Sequence, residues 1–330
     1  MDTVKNRFAE TLSYPADMQK GMRTDIGSTK RVEALNKLLR ETRPGICLHL
    51  ARAYTEIFRE NEADPVPIRF AKAFQKAVDT IEPAIYDGEL IVGLSSCGLK
   101  KIPVLPFNQG PWLLKELDTI NTRPVNPVYV SDEQIAEARE LLSWWQGKAQ
   151  YDMIRRRIPS ELFNKTQGTG WGEAAGYFYQ GGSHFCANFE PILHGGLISH
   201  EKLIKEKLAA LDYTNPNDID KKPFYESLLM TIDGIRTYSE KFSRKALEMA
   251  EAETDPIRKQ ELLDIAERTA HVPYYPARNF AEAIQAIWFI QFCLHMEGPG
   301  MTYTIGRLDV MAYPYYKADI DHQGAGSGNS

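Results

Sequence analysis

Cysteine is scarce in this chain: Cys47, Cys97, Cys186 and Cys293 are the four among 330 residues. No two have CxxC spacing and none belongs to a Cys/His cluster, which argues against zinc or iron–sulfur sites and leaves no metal ligands to name. Free thiols suit a reducing compartment. No apolar run is long enough to span a bilayer. The opening stretch, MDTVKNRFAETLSYPADMQKG, lacks an apolar signal core, so a cytoplasmic protein is expected. Positive charge is not in excess either. The formal net charge is −5, which removes any general attraction to nucleic acid or an anionic membrane. Internal repeats and a true interdomain linker are missing. The rest is ordinary for a globular protein, 43% hydrophobic and 25% charged, with room for one large or two ordinary domains.

Hydrophobic spacing predicts helix over much of the chain. Ser28-Thr29 reads as the cap of a helix over 31–41, with Val32, Leu35, Leu38 and Leu39 on one face. Further helices are expected at 47–61, 68–80, from Ser131 to 145, and at 201–211, 224–253, 256–271 and 280–296. Residues 85–93, IYDGELIVG, read as a tight turn and then a short apolar strand. Residues 99–111 are Pro-rich and irregular. Residues 164–196 are rich in Gly and aromatics with little helical period, and such segments line sites more often than they build core.

The most informative run is 300–320, GMTYTIGRLDVMAYPYYKADI. Met301, Tyr303 and Ile305 alternate with Thr302, Thr304 and Gly306, a strand pattern with two different faces. Pro299-Gly300 punctuates its start and Gly306-Arg307-Leu308-Asp309 its end, with Arg307 and Asp309 read as a structural pair. An aromatic cluster, Tyr313-Pro314-Tyr315-Tyr316, follows. Fed by the apolar helix 280–296, the run reads as a barrel strand.

The phrase TIGRLD-x3-YPYYKADI resembles the matching stretch of glycyl radical enzymes, the pyruvate formate-lyase superfamily, and within it the dehydratase and C–X lyase branch. The rest of the chain agrees in order: IRFAKAF, DGELIVG, Trp112 with KELD and TRP, WWQGK, Gly182-Ser183-His184, Asn188-Phe189, ETDPIRKQELLDIAE and AEAIQAIWF. The resemblance implies an α/β fold: the mostly helical N-terminal part of a ten-stranded barrel, with a few barrel strands. It divides the chain into a loosely ordered lead at 1–27, a partial domain at 28–321 and a Gly/Ser-rich disordered tail at 322–330.

It also implies a chemistry. A glycyl radical, installed by a radical-SAM activating enzyme, passes its unpaired electron to a cysteine thiol. The resulting thiyl abstracts hydrogen from a small organic substrate in a dry cavity. The family marks the cysteine with a GC(V/I)(E/S)P-like motif and the glycine with an RVxGY-like motif. None of the four cysteines sits in the first, Cys97 in Ser96-Cys97-Gly98 being only a lookalike in the wrong part of the chain, and no glycine sits in the second. The catalytic residues and the glycyl radical are therefore expected outside this chain. It reads as the N-terminal portion of a lyase or dehydratase, inactive alone and dimeric when whole. A formate C-acetyltransferase fragment and a non-catalytic helical remnant or binding module are the alternatives.

Five residues are expected at the substrate. His184, with Ser183 beside it, matches the Gly-rich loop where family dehydratases set a His against a substrate hydroxyl; imidazole can exchange a hydrogen bond or a proton there. Thr302 matches a Ser of glycerol-type enzymes, with Thr304 alternating after it. Met301 stands where those enzymes have a His, and a thioether cannot serve a polyol hydroxyl as imidazole does. Glu297, at the helix end, can orient substrate at the mouth.

Overall fold

The computed structural model describes residues 29–124, 127–166, 184–298 and 302–326. The first elements are α1 (Lys30–Glu41), β1 (Gly45–Cys47), α2 (His49–Glu60), α3 (Val66–Thr80), β2 (Lys101–Pro103), α4 (Pro106–Glu116), α5 (Asp132–Trp144), α6 (Gln150–Arg157) and α7 (Ser160–Thr166). Then come β3 (His184–Cys186), α8 (Glu190–Ala209), α9 (Pro216–Ile219), α10 (Lys221–Ala252), α11 (Pro256–His271), α12 (Phe280–Glu297), β4 (Thr302–Thr304) and α13 (Leu308–Gly326). The described part is mostly helical. Its strands form two parallel pairs, β1 with β2 and β3 with β4.

Helix ends follow the capping chemistry in the sequence. Thr29 accepts from the Val32 amide, and Ser131 with Gln134 forms a reciprocal capping box. The core is built around α10, whose Tyr238 and Phe242 meet Phe289 of α12 at centroid distances of 5.2 and 5.5 Å. Tyr54, Phe74 and Phe189 extend the same cluster. Burying each such ring contributes roughly 2–3 kcal/mol. The apolar residues Val32, Leu38 and Leu39 of α1 stay exposed, and α1 is tied down by ion pairing of Arg31 to Glu261 instead.

The strand expected at 85–93 is not one. Residues 89–94 have no strand partner, and side chains from distant helices take the place of a ladder. Arg31 donates to Gly88 O at 3.0 Å, and Arg258 to Glu89 O at 2.8 Å and Tyr86 O at 3.2 Å. Arg268 donates to Leu90 O at 2.7 Å. Gln285 accepts from Val92 N at 3.0 Å and donates to Val92 O at 2.7 Å. Tyr238 Oη accepts from Leu94 N and donates to Leu94 O, both at 2.9 Å. The expected turn is present, with Gly88 at φ 82°.

Three further expectations are corrected. The Pro-rich stretch hides β2, which pairs Lys101 with Gly45 and Pro103 with Cys47. That pairing brings Cys47 beside the 93–100 loop, where it is joined to Cys97 in a disulfide, so these two are not free thiols. The aromatic cluster after Asp309 lies within α13, which runs on to Gly326, so the tail expected from 322 begins as helix. The lead at 1–27 lies outside the described residues.

His49 shares this corner. Its Nδ1 is 3.1 Å from Cys47 Sγ, while the buried Nε2 has no partner among the described residues. Burial first, and Arg52 second, lower the imidazole to about 4. An unfolded His titrates near 6.5, so between these values the unfolded chain binds the extra proton. The stabilisation is complete above the unfolded value and is lost as pH falls toward the folded one. Urea unfolding is expected to lose about 2 kcal/mol between about pH 6.5 and 5. The slope should flatten in His49→Gln, and an unchanged slope would mean that His49 is hydrated.

Candidate active-site wall

The parallel register of β3 and β4 places His184 opposite Thr302, Phe185 opposite Tyr303 and Cys186 opposite Thr304. Two of the residues expected at the substrate, His184 and Thr302, thus become neighbours in one ladder although they are far apart in sequence. Thr304 follows on the same strand, exposed beside the exposed Cys186. Ser183 and Met301 lie outside the described residues. Gly306 turns the chain out of β4 at φ 81°. The positive φ is what favours glycine there; a Cβ would stand 2.7 Å from Cys186 Sγ, an exposed side-chain atom that can turn aside.

β4 is held against α12 by groups that the sequence reading did not single out. Gln291 Nε2 donates to Tyr303 O at 2.7 Å, and Tyr303 Oη donates to Gly298 O at 2.9 Å. The His295 ring meets Tyr303 edge-on at 4.7 Å, and burial lowers its imidazole below the ordinary value. Gln291 Oε1 is buried with no partner among the described residues. An amide six residues before the helix end carries no periodic signal, and nothing in the sequence marks it.

Glu297 ends α12. It is reached by solvent, yet enough protein surrounds it that desolvation raises its carboxyl above the ordinary range. Behind it, Tyr54 Oη donates to Met296 O at 3.0 Å, and burial raises the Cys293 thiol far above its ordinary value, so this cysteine stays protonated and inert. Past the strand, Arg307 grips Asp309 through two bonds of 3.0 and 2.8 Å and lowers its carboxyl, the structural pair that the sequence suggested. Among the described residues no three His, Cys, Asp or Glu side chains converge as metal ligands.

These features define a pair of short parallel strands, β3 and β4, the second tied to α12. A family described as pyruvate formate lyase-like matches residues 24–326, and the chain belongs to it, among the glycyl radical enzymes. Isethionate sulfite-lyase of Oleidesulfovibrio alaskensis is 31% identical over 291 residues, covering 84% of this chain and 35% of that protein. A solved structure of 1,2-propanediol dehydration in Roseburia inulinivorans superposes with a TM-score of 0.85 at 32% identity, over 91% of this chain and 36% of that one. The glycerol-bound B12-independent glycerol dehydratase of Clostridium butyricum gives 0.83 at 27% identity, over 89% and 38%. The chain thus spans little more than a third of the length of the proteins it matches. No helix of the described residues is long and apolar enough to cross a membrane.

Proposed function

We propose that this chain is one wall of the substrate chamber of a cytoplasmic glycyl radical lyase or dehydratase, the N-terminal part of a ten-stranded barrel formed by residues 28–321. The observation that carries the reading is the β3–β4 register, which sets His184 beside Thr302. His184 and Ser183 would hold a substrate hydroxyl or leaving group, Thr302 and Thr304 would donate or accept along the strand, and Glu297 would orient substrate at the mouth. The thioether of Met301 supplies no imidazole to a polyol, which favours a less polar substrate than glycerol. Formate acetyl transfer is not favoured, because the relatives above carry out C–S and C–O cleavage.

The glycyl radical would supply hydrogen abstraction through a thiyl, and the residues present do not include either family motif. No step is therefore assigned to this chain beyond binding, orienting and excluding water. The whole enzyme would need a radical-SAM activating partner and would assemble as a homodimer. Incubated anaerobically with such an activating enzyme, S-adenosylmethionine and reductant, the 330-residue chain is expected to stay silent by electron paramagnetic resonance. A glycyl doublet would overturn its assignment as an inactive part. The coding sequence beyond residue 330 tests the enzyme reading itself. In-frame GC(V/I)(E/S)P-like and RVxGY-like motifs are expected there, and their absence would leave a non-catalytic remnant.

A further inference from the structure

Where α1 ends against β1 and β2, a cavity of about 540 Å³ opens on the face of the molecule. Arg40, Arg43, Lys100 and Arg123 line it, together with Ile102 and Tyr129. The chain as a whole is acidic, with a net charge of −5, so cations gathered here run against its average. Elsewhere on the surface, arginines are matched by acids: Arg52 with Glu137, Arg59 with Glu140, Arg139 with Asp118. In the cavity only Arg123 is matched in this way, by Glu116 at 2.9 Å. Arg40, Arg43 and Lys100 meet no carboxylate among the described residues. Glu41, the acid in the lining, lies 3.9 Å from Lys37 instead.

The cavity also has an apolar side. Tyr129 and Ile102 are 46% and 45% exposed, large surfaces to leave in water. The Arg43 guanidinium lies 5.1 Å from the Tyr129 ring centre, a cation–π contact that fixes both groups. The frame is rigid. Tyr129 N donates to Pro44 O at 2.9 Å, and Gly45 N to Lys100 O at 3.0 Å. Lys100 holds φ 56°, the one non-glycine among the described residues in the left-handed region. Its backbone strain is retained where glycine would relieve it.

Unneutralised guanidinium and ammonium groups recognise an oxyanion, and the arginine fork does so through paired bonds. A flat aromatic beside an aliphatic side chain recognises a ring. We propose that this cavity is a binding site for a planar organic anion, a phosphate or sulfonate carried on an aromatic or heteroaromatic body. The anionic head would lie among Arg40, Arg43 and Lys100, and the ring against Tyr129 and Ile102. The site shares no residue with the β3–β4 wall and stands or falls apart from the radical-enzyme reading.

Isothermal titration calorimetry on the 330-residue chain tests it, with adenosine 5′-monophosphate as probe and inorganic phosphate and adenosine as separate arms. The monophosphate is expected to bind at least about tenfold more tightly than either fragment, and more weakly as salt is raised. Lys100→Gly should weaken it by about tenfold while leaving thermal stability equal or higher, because glycine accepts the left-handed backbone. Tyr129→Leu should weaken the monophosphate but not inorganic phosphate. No heat of binding up to about 5 mM, equal binding of phosphate and monophosphate, or unchanged affinity in both variants would each overturn the assignment.

Discussion

Replacing Gln285 with Met is expected to lower the unfolding free energy by about 2–5 kcal/mol, although it removes no apolar contact. Gln285 is wholly buried, and its amide reads Val92 as a neighbouring strand would, accepting from N–H and donating to C=O. Met preserves the volume, so packing changes little. What is lost is the pairing of two backbone groups at a residue that is itself wholly buried. Each unsatisfied buried group costs about 1–3 kcal/mol. Urea denaturation gives the total, and amide exchange locates it: protection at Val92 should fall, while Leu94, held by Tyr238, should keep its own. A variant within about 1 kcal/mol of the parent would show that water replaces the amide.

The same loop shows where sequence legibility ends. Leu90, Ile91 and Val92 are apolar and follow a Gly turn, so local pattern predicts a strand. The partners that satisfy the loop's backbone are Arg258, Arg268, Tyr238 and Gln285, each on a helix far along the chain. No local period encodes such a partner. Helices with a continuous apolar face were legible almost to the residue: the expected 256–271 is α11, and the expected 280–296 is α12 less its last residue. Strand β2 was hidden because prolines dominate its surroundings, and β1 because three residues carry too little alternation. At the site, alternation marked Thr302 and Thr304 as extended, and the register then set His184 beside Thr302. Gln291, which fastens that strand to α12, stayed invisible because its task depends on a tertiary contact to Tyr303 O.

Gly196→Ala is expected to be the most damaging substitution for its size, at about 3 kcal/mol or more. Gly196 interrupts α8 at φ 65° and ψ 169°, a conformation essentially reserved for glycine that costs an L-residue about 1–3 kcal/mol by itself. The rest is steric. A Cβ would strike the Tyr274 carbonyl oxygen and stand 2.7 Å from the Tyr275 carbonyl carbon, backbone atoms that cannot rotate away. Those atoms are fixed because Leu197 N donates to Pro273 O and Ile198 N to Tyr274 O, both at 3.0 Å. Ala277 N closes the junction on Leu193 O at 2.9 Å, just before α12 begins. Displacing this segment therefore shifts the helix that carries Gln291 and Glu297, so loss of stability and distortion of the candidate wall should appear together. Gly195→Ala is the control. Its Cβ would meet the Ser199 hydroxyl at 2.6 Å, a side chain that can turn aside after giving up its 2.8 Å bond to Gly196 O. That loss is worth about 1 kcal/mol. Denaturation of the two variants side by side should separate them by about 2 kcal/mol, and equal losses would mean that the 273–277 segment yields as readily as a serine rotamer.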